Sequence, residues 1–308
     1  MKTFGTTIRT VLLILALAAL AAGCASVAKM ATQVGQGTGA ITEDQAQSLN
    51  RSIDAVEKTF TDITPEQEYY LGRAVAANLL TDQRALDDAA ANAYLNRLGQ
   101  TLAMASDRPE TFGGYHFLLL DSDEINAFAA PGGLILVTRG MVRLCGTEDE
   151  LAAVLAHEIG HIQGKHGLRA IKNSRLTGTL TVLAAEGARQ FGGQDLKNLV
   201  EAYEGSISDI TGTLVTSGYS RGLEQEADRA AVAILERVGY DPRALVTMLT
   251  RMKERLEPGG LDFAKTHPDP GDRIADIQPL MTKAPAAAEP AARHQRFIGA
   301  VGGLLAGS

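Results

Sequence analysis

Two cysteines in 308 residues leave little material for a disulfide framework. Cys24 closes an apolar leader, so Cys145 has no partner and reads as a small buried hydrophobe with no catalytic role. The chain also lacks any run of Lys or Arg, and its formal charge is −7. Both facts argue against a nucleic-acid binder and against a polybasic membrane patch, and they leave an acidic, solvated surface. No G-x-S-x-G, P-loop or G-x-G-x-x-G stands between a strand and a helix, and no His or Asn arrangement surrounds Cys145. Serine, cysteine and nucleotide chemistry therefore have no foothold.

Long hydrophobic runs are scarce as well. The run from Val11 to Gly23 follows Lys2 and Arg9, and it is shorter than the roughly twenty apolar residues a spanning helix needs. It reads as a secretory signal over residues 1–23. Small residues directly before Cys24 resemble the lipobox of bacterial lipoproteins, although Ala21 stands where Leu is usual; ordinary cleavage after an alanine and an uncleaved anchor are the other readings. On the first reading Cys24 is a lipid anchor, and Ala25 after it resembles the sorting class of the outer membrane. The expected location is the periplasm, on that membrane. The second run, Leu176 to Ala185, is broken by Glu186, Arg189 and Asp195, so it predicts a helical arm over the site rather than a span.

Residues 24–62 read as a polar tether followed by a peripheral helix. Thr64, Pro65 and Gln67 look like a helix start, with the helix running to about Leu80, and a second helix is predicted from about Asp87 to Met104. Strand character is confined to Tyr115–Leu120 and Leu134–Thr138, which are expected to pair in a small sheet around a turn at Pro131, Gly132 and Gly133. Asn126 to Ala130, between them, is either an ordinary loop or a sheet edge able to hold an extended peptide. From Ala284 the composition turns to Ala, Pro and Glu, so residues 284–308 read as a low-complexity tail, disordered or weakly packed.

The positive signal is Thr147 to His166, TEDELAAVLAHEIGHIQGKH. Thr147 and Glu150 form a capping box, and Leu151, Val154, Leu155, Ile159 and Ile162 recur at helical spacing, so a helix is predicted independently of the motif it carries. That motif is H-E-x-x-H: His157 and His161 project from one helix face, close enough to bind one metal ion, with Glu158 beside them. Catalytic zinc takes three protein ligands, so a third is required. A helix marked by Ala230, Ala231, Ile234, Leu235 and Val238 and ended by Gly239 carries Glu224 and Asp228 four apart on one face. Glu224 is the expected third ligand. Asp228, one turn on, is placed to accept the outer N–H of a ligating imidazole. Glu158 is then the general base of a peptide hydrolysis. His166 ends the motif helix, or supports the metal site from behind. A proline-rich loop, Thr266 to Ile274, is expected to present His267 into a cleft.

The stretches NAFAAPGG (126–133), LAAVLAHEIGHIQGKH (151–166), SRGLEQEAD (220–228) and THPDPGDRI (266–274) resemble, in this order, the gluzincin zinc metallopeptidases of the HtpX and CAAX-prenyl-endopeptidase family. The narrower similarity is to periplasmic, lipoprotein-type members. It covers about residues 64–281. The resemblance implies an α+β, mostly helical, zincin-like domain over residues 63–283, with a small sheet beside the H-E-x-x-H helix. It implies one Zn2+ per chain held by His157, His161 and Glu224, with Glu158 catalytic and Asp228 behind the ligands. It makes His267 a gate or oxyanion partner, and Asn126, Ala127, Phe128, Ala129, Pro131 and Gly132 the substrate-facing edge. The implied partners are unfolded or misassembled envelope proteins and the membrane through Cys24. The hydrophobic spans of membrane-embedded members are missing, and no repeat of about 34 residues follows. The contrasting reading is an envelope assembly factor or chaperone with a latent protease site.

Overall fold

The computed structural model describes residues 63–170, 207–255, 267, 269–281 and 290–305. The expected signal, the tether, Cys24 and most of the arm lie outside these residues. Helix α1 (Pro65–Asp82) and helix α2 (Ala89–Met104) come first, close to the bounds read from sequence. Asp88 caps α2 by accepting the Ala91 N–H at 2.9 Å. Three strands follow, β1 (His116–Leu120), β2 (Ala127–Ala130) and β3 (Leu134–Thr138), in the order β1-β3-β2.

The two runs with strand character do pair, and they pair in parallel: Phe117 lies opposite Ile135 and Leu119 opposite Val137. A tight turn cannot join parallel strands. Pro131, Gly132 and Gly133 instead close a hairpin between β2 and β3, with Phe128 opposite Leu136. Gly132 and Gly133 supply the positive φ of that turn, 79° and 103°. Asn126 to Ala130 is thus the sheet edge, not an ordinary loop.

The remaining elements are helical: α3 (Arg139–Leu144), α4 (Glu148–Gln163), α5 (His166–Arg169), α6 (Arg221–Val238), α7 (Arg243–Arg255), α8 (Pro270–Ile277) and α9 (Ala291–Leu305). Helical turns also precede α6 over residues 207–217. The architecture is α+β and mostly helical, with the sheet beside α4. The chain divides into two compact units; the first, residues 1–64 and 173–181, lies almost wholly outside the described residues, and α1 to α9 belong to the second.

Helix α4 is the axis of this second unit, buried on every side from Glu148 to Ile162. Its alanines make that possible. Ala152, Ala153 and Ala156 let neighbours approach, while Leu151, Leu155 and Ile159 fill the core. Thr147 caps it by accepting the Glu150 N–H at 3.1 Å. The box is offset by one residue, because the Glu150 carboxylate accepts the Gly146 N–H at 2.6 Å, not that of Thr147. Glu148, Asp149 and Glu150 in the first turn also suit the helix dipole.

Two further expectations require correction. The stretch from Thr266 to Ile274 is not a loop throughout, since α8 starts at Pro270. Asp269 accepts the Gly271 N–H at 2.6 Å and proline occupies the first turn, both favourable for a helix start. Within the C-terminal stretch, the described residues 291–305 are not a loosely packed tail either. Phe297, Val301 and Leu304 fall on one helical stripe of α9 and are buried in the core against α2, α3 and α4. Alanines and glycines hide that stripe in the sequence, and tertiary burial overrides the poor helix propensity of glycine. Arg296 and Arg293 clamp α9 to the start of α4. Arg296 Nε donates to Glu148 Oε2 at 2.8 Å, and Arg293 pairs with Asp149 at 3.1 Å. Glu148, fully buried, also accepts from the hydroxyls of Tyr94 and Tyr240, at 2.9 and 2.8 Å.

Among the described residues, no helix is long and apolar enough to cross a membrane.

Candidate metal centre

Helix α4 carries His157 and His161 one turn apart, so their rings share a face, and their Nε2 atoms lie 3.0 Å apart. Helix α6 crosses that face closely because Gly160 has no side chain; a Cβ there would meet the Ala227 carbonyl oxygen at 2.7 Å. The approach brings in Glu224. Its Oε2 is 3.5 Å from His157 Nε2, and its Oε1 is 3.5 Å from His161 Nε2. His267 completes the group, with Nδ1 2.8 Å from Glu224 Oε1. One donor atom from each of His157, His161, Glu224 and His267 lies within 4.8 Å of every other, and all four residues are buried.

Such a cluster suits a cation. Glu224 Oε2 is buried and accepts no hydrogen bond, an arrangement costly for a carboxylate oxygen unless something else satisfies it. The acidity of Glu224 points the same way: burial pushes its carboxyl up, and His267 and Arg273 outweigh burial, so it stays ionised. His161 is held well below the ordinary imidazole range, first by burial and then by the neighbouring His157. A neutral imidazole keeps the lone pair that a metal takes. The residues present therefore fit a divalent ion of the zinc kind, with two imidazoles and one carboxylate as donors.

Asp228 stands where the spacing places it. Its Oδ1 is 2.9 Å from His157 Nδ1, the outer nitrogen of that ring, and accepting this N–H leaves the Nε2 lone pair facing the cluster. Its carboxyl is held low: Arg273 and the His157 N–H outweigh the burial that would raise it. Arg273 is a functional residue that sequence reading misses. It comes from α8, is 2% exposed, and grips Asp228 with Nε at 3.0 Å and Nη2 at 2.6 Å. Its Nη1 also lies 3.4 Å from Glu224 Oε2. Nothing in the string GDRI marks this arginine as buried, and only the closure of α8 onto α6 and α7 reveals it. Tyr219 is missed too. Its ring stacks on His161 at a centroid distance of 4.3 Å, and its hydroxyl is buried.

Glu158 is 1% exposed, and its Oε1 has no hydrogen-bond partner. Burial raises its carboxyl above the ordinary range, partly offset by His267 and His157. A cavity of about 10 Å3 borders it, between Val154 and His157 on α4 and Leu245, Met248 and Leu249 on α7. That is room for about one water.

The edge residues are brought near in another sense. Asn126, Ala127, Phe128 and Ala129 lie in or beside β2 and are 2–4% exposed; Pro131 and Gly132 in the turn are buried as well. Among the described residues no strand pairs with the outer side of β2. The turn is tied to α1, where Glu68 accepts the Gly132 N–H at 3.2 Å and pairs with Arg108 at 2.7 Å. Cys145 is buried, which pushes its thiol up and makes it inert, as its sequence context suggests.

Two imidazoles from one helix, a carboxylate from a second and a glutamate beside the first imidazole define a class of site, the His2Glu centre of zinc hydrolases. Residues 89–280 match the sequence profile described as Peptidase family M48, and the chain belongs to that family. It is a family of zinc metallopeptidases, and the His-His-Glu-His group supplies donors for that metal. The chain is 30% identical over 219 residues to the beta-barrel assembly-enhancing protease of Escherichia coli (strain K12), covering 69% of this chain and 43% of that protein. It is 33% identical over 161 residues to the mitochondrial metalloendopeptidase OMA1 of Schizosaccharomyces pombe, covering 52% of this chain and 44% of the relative. Against the protease HtpX homolog of Salinibacter ruber the figure is 28% over 193 residues, covering 54% and 68%. The chain thus spans less than half the length of the assembly-enhancing proteases it matches.

Proposed function

We propose that this protein is a zinc-dependent endopeptidase that hydrolyses peptide bonds of misfolded or misassembled envelope proteins. The observation that carries the reading is the buried convergence of His157, His161 and Glu224 beside Glu158, with Asp228 behind His157. A zinc ion bound there supplies Lewis-acid polarisation of a peptide carbonyl and lowers the pKa of water toward neutrality. The chain's own residues do the rest. Glu158 accepts the proton of the attacking water and returns it to the leaving amine. Asp228 and Arg273 hold His157 in one tautomer. His267 lies inside the donor group, where it would act as gate or oxyanion partner.

The outer edge of β2 is proposed to bind substrate as an added strand, with Asn126, Ala127, Phe128, Ala129, Pro131 and Gly132 forming that face. Because these residues are buried, the substrate reaches them only when this part of the molecule opens. The same burial, with His267 among the donors, favours a second reading: an assembly factor or chaperone whose protease site is latent. The name of the Escherichia coli relative supports β-barrel envelope proteins as clients. Residues 63–283 are taken as the peptidase domain, and residues 1–23 as a signal that leaves Cys24 lipidated, facing the periplasm from the outer membrane.

The test is cleavage of an unfolded β-barrel outer-membrane protein by the zinc-loaded chain. Fragments should appear, vanish on chelation and return with zinc. Client binding without fragments under all three conditions would favour the chaperone. For the anchor, a fatty-acid label should be incorporated by the wild type and lost in Cys24→Ala; persistent labelling would disprove it.

A further inference from the structure

We infer that His166 and Glu226 position the metal ligand His161, and that the turn at Gly164 and Lys165 is shaped to hold them there. The inference rests on the reading of His161 as a ligand. An imidazole that gives one nitrogen to a metal carries a proton on the other, and that N–H needs an acceptor. His157 has Asp228 for this purpose. Among the described residues no carboxylate lies at the outer nitrogen of His161; its Nδ1 lies 2.8 Å from His166 Nδ1.

Two ring nitrogens at that distance share one proton. With His161 Nε2 turned to the donor group, Nδ1 carries the proton and donates, and His166 Nδ1 accepts. His166 then carries its own proton on Nε2, which lies 3.2 Å from Glu226 Oε2. Glu226 is fixed in turn by Arg169, with Nη1 2.7 Å from Oε2 and Nη2 3.3 Å from Oε1. Every step has one donor and one acceptor. The chain runs His161, His166, Glu226, Arg169, and it ends as the support of His157 ends, in a carboxylate gripped by arginine. Helix α6 supplies the proposed third ligand Glu224 and, through Asp228 and Glu226, the carboxylate behind each of the two imidazoles.

The backbone is built for this contact. Lys165, φ 52°, is the single non-glycine residue with positive φ among the described residues, and it turns the chain from α4 back into α5 directly beneath His161. Such a conformation persists where surrounding structure demands it. A Cβ at Gly164 would lie 2.2 Å from His166 Nε2, so any other residue there displaces the ring. His166 itself is fully buried.

The experiment measures zinc affinity of the full chain by competition with a chromophoric chelator, and the visible absorption of the Co2+-substituted protein. His166→Phe keeps the ring and removes the acceptor. It is expected to lower zinc affinity by about 10- to 100-fold and to shift the Co2+ bands. Gly164→Ala should reproduce both effects, and Glu226→Ala, at a partly exposed side chain that folding tolerates, should lower affinity at least about threefold. A purely structural His166 would lower the melting temperature of the metal-free protein and leave both metal readouts unchanged. Zinc affinity within twofold of wild type in His166→Phe, or in Glu226→Ala if the former does not fold, overturns the inference. The control is His161→Ala. If it binds zinc as the wild type does, or the wild type binds none, the ligand reading of His161 has failed and takes this inference with it.

Discussion

Replacing Glu158 with Gln is expected to lower kcat/KM on a peptide substrate by about 10²- to 10⁴-fold while the protein still carries one zinc per chain. Gln has the shape of Glu and can sit in the same buried place, where Glu158 is 1% exposed. What it loses is the ability to accept a proton. The surroundings of Glu158 favour that proton transfer. Its Oε1 has no hydrogen-bond partner, and burial raises its carboxyl, which makes the carboxylate a stronger base than a solvated one. Proton transfer matters in the transition state and little in substrate binding, so the loss should fall on kcat, with KM nearly unchanged. Steady-state kinetics on one peptide decide this, and a variant as fast as wild type would remove Glu158 from the chemistry.

Replacing Glu224 with Ala should have the other large effect, on the metal itself. Zinc affinity is expected to fall by more than about 100-fold, beyond the loss typical of an outer partner, because one of the three proposed protein ligands is gone. The folded state should suffer too. Glu224 is the buried anion facing His267 at 2.8 Å and Arg273 at 3.4 Å, and removing one partner of a buried pair typically costs about 3–5 kcal/mol. Thermal melts separate the two effects. At free zinc about 1,000 times Kd, the wild type should gain about 4 kcal/mol of stability from binding. Glu224→Ala should start lower and gain no more than about 1.4 kcal/mol at the same zinc concentration. A variant that gains as much as wild type would show that the metal sits elsewhere.

The helical frame and the grouping of the candidate ligands are legible because they depend on local periodicity. Helix α4 declares itself through Thr147, Glu150 and the spacing of Leu151, Leu155 and Ile159, and α6 through its apolar stripe and Gly239. His157, His161, Glu224 and Asp228 follow from those two helices by counting turns. Features created by tertiary closure are not legible. Arg273 becomes a site residue only when α8 folds over α6 and α7, and Glu226 only when the left-handed turn at Lys165 sends His166 underneath His161. The parallel pairing of β1 and β3 is hidden for a related reason: the short stretch between them suggests a hairpin, and the intervening β2 takes that role. Helix α9 is hidden by its composition. Its glycines and alanines signal disorder, while Phe297, Val301 and Leu304, seated in the core, decide the outcome.

Zinc content and peptide cleavage measured together on wild type, Glu158→Gln and Glu224→Ala test the metal-plus-base assignment most directly. Wild type should hold one zinc per chain and cleave; Glu158→Gln should hold one zinc and fail to cleave; Glu224→Ala should do neither. Cleavage by Glu158→Gln at the wild-type rate, or full zinc occupancy in Glu224→Ala, would contradict the assignment of base and ligand.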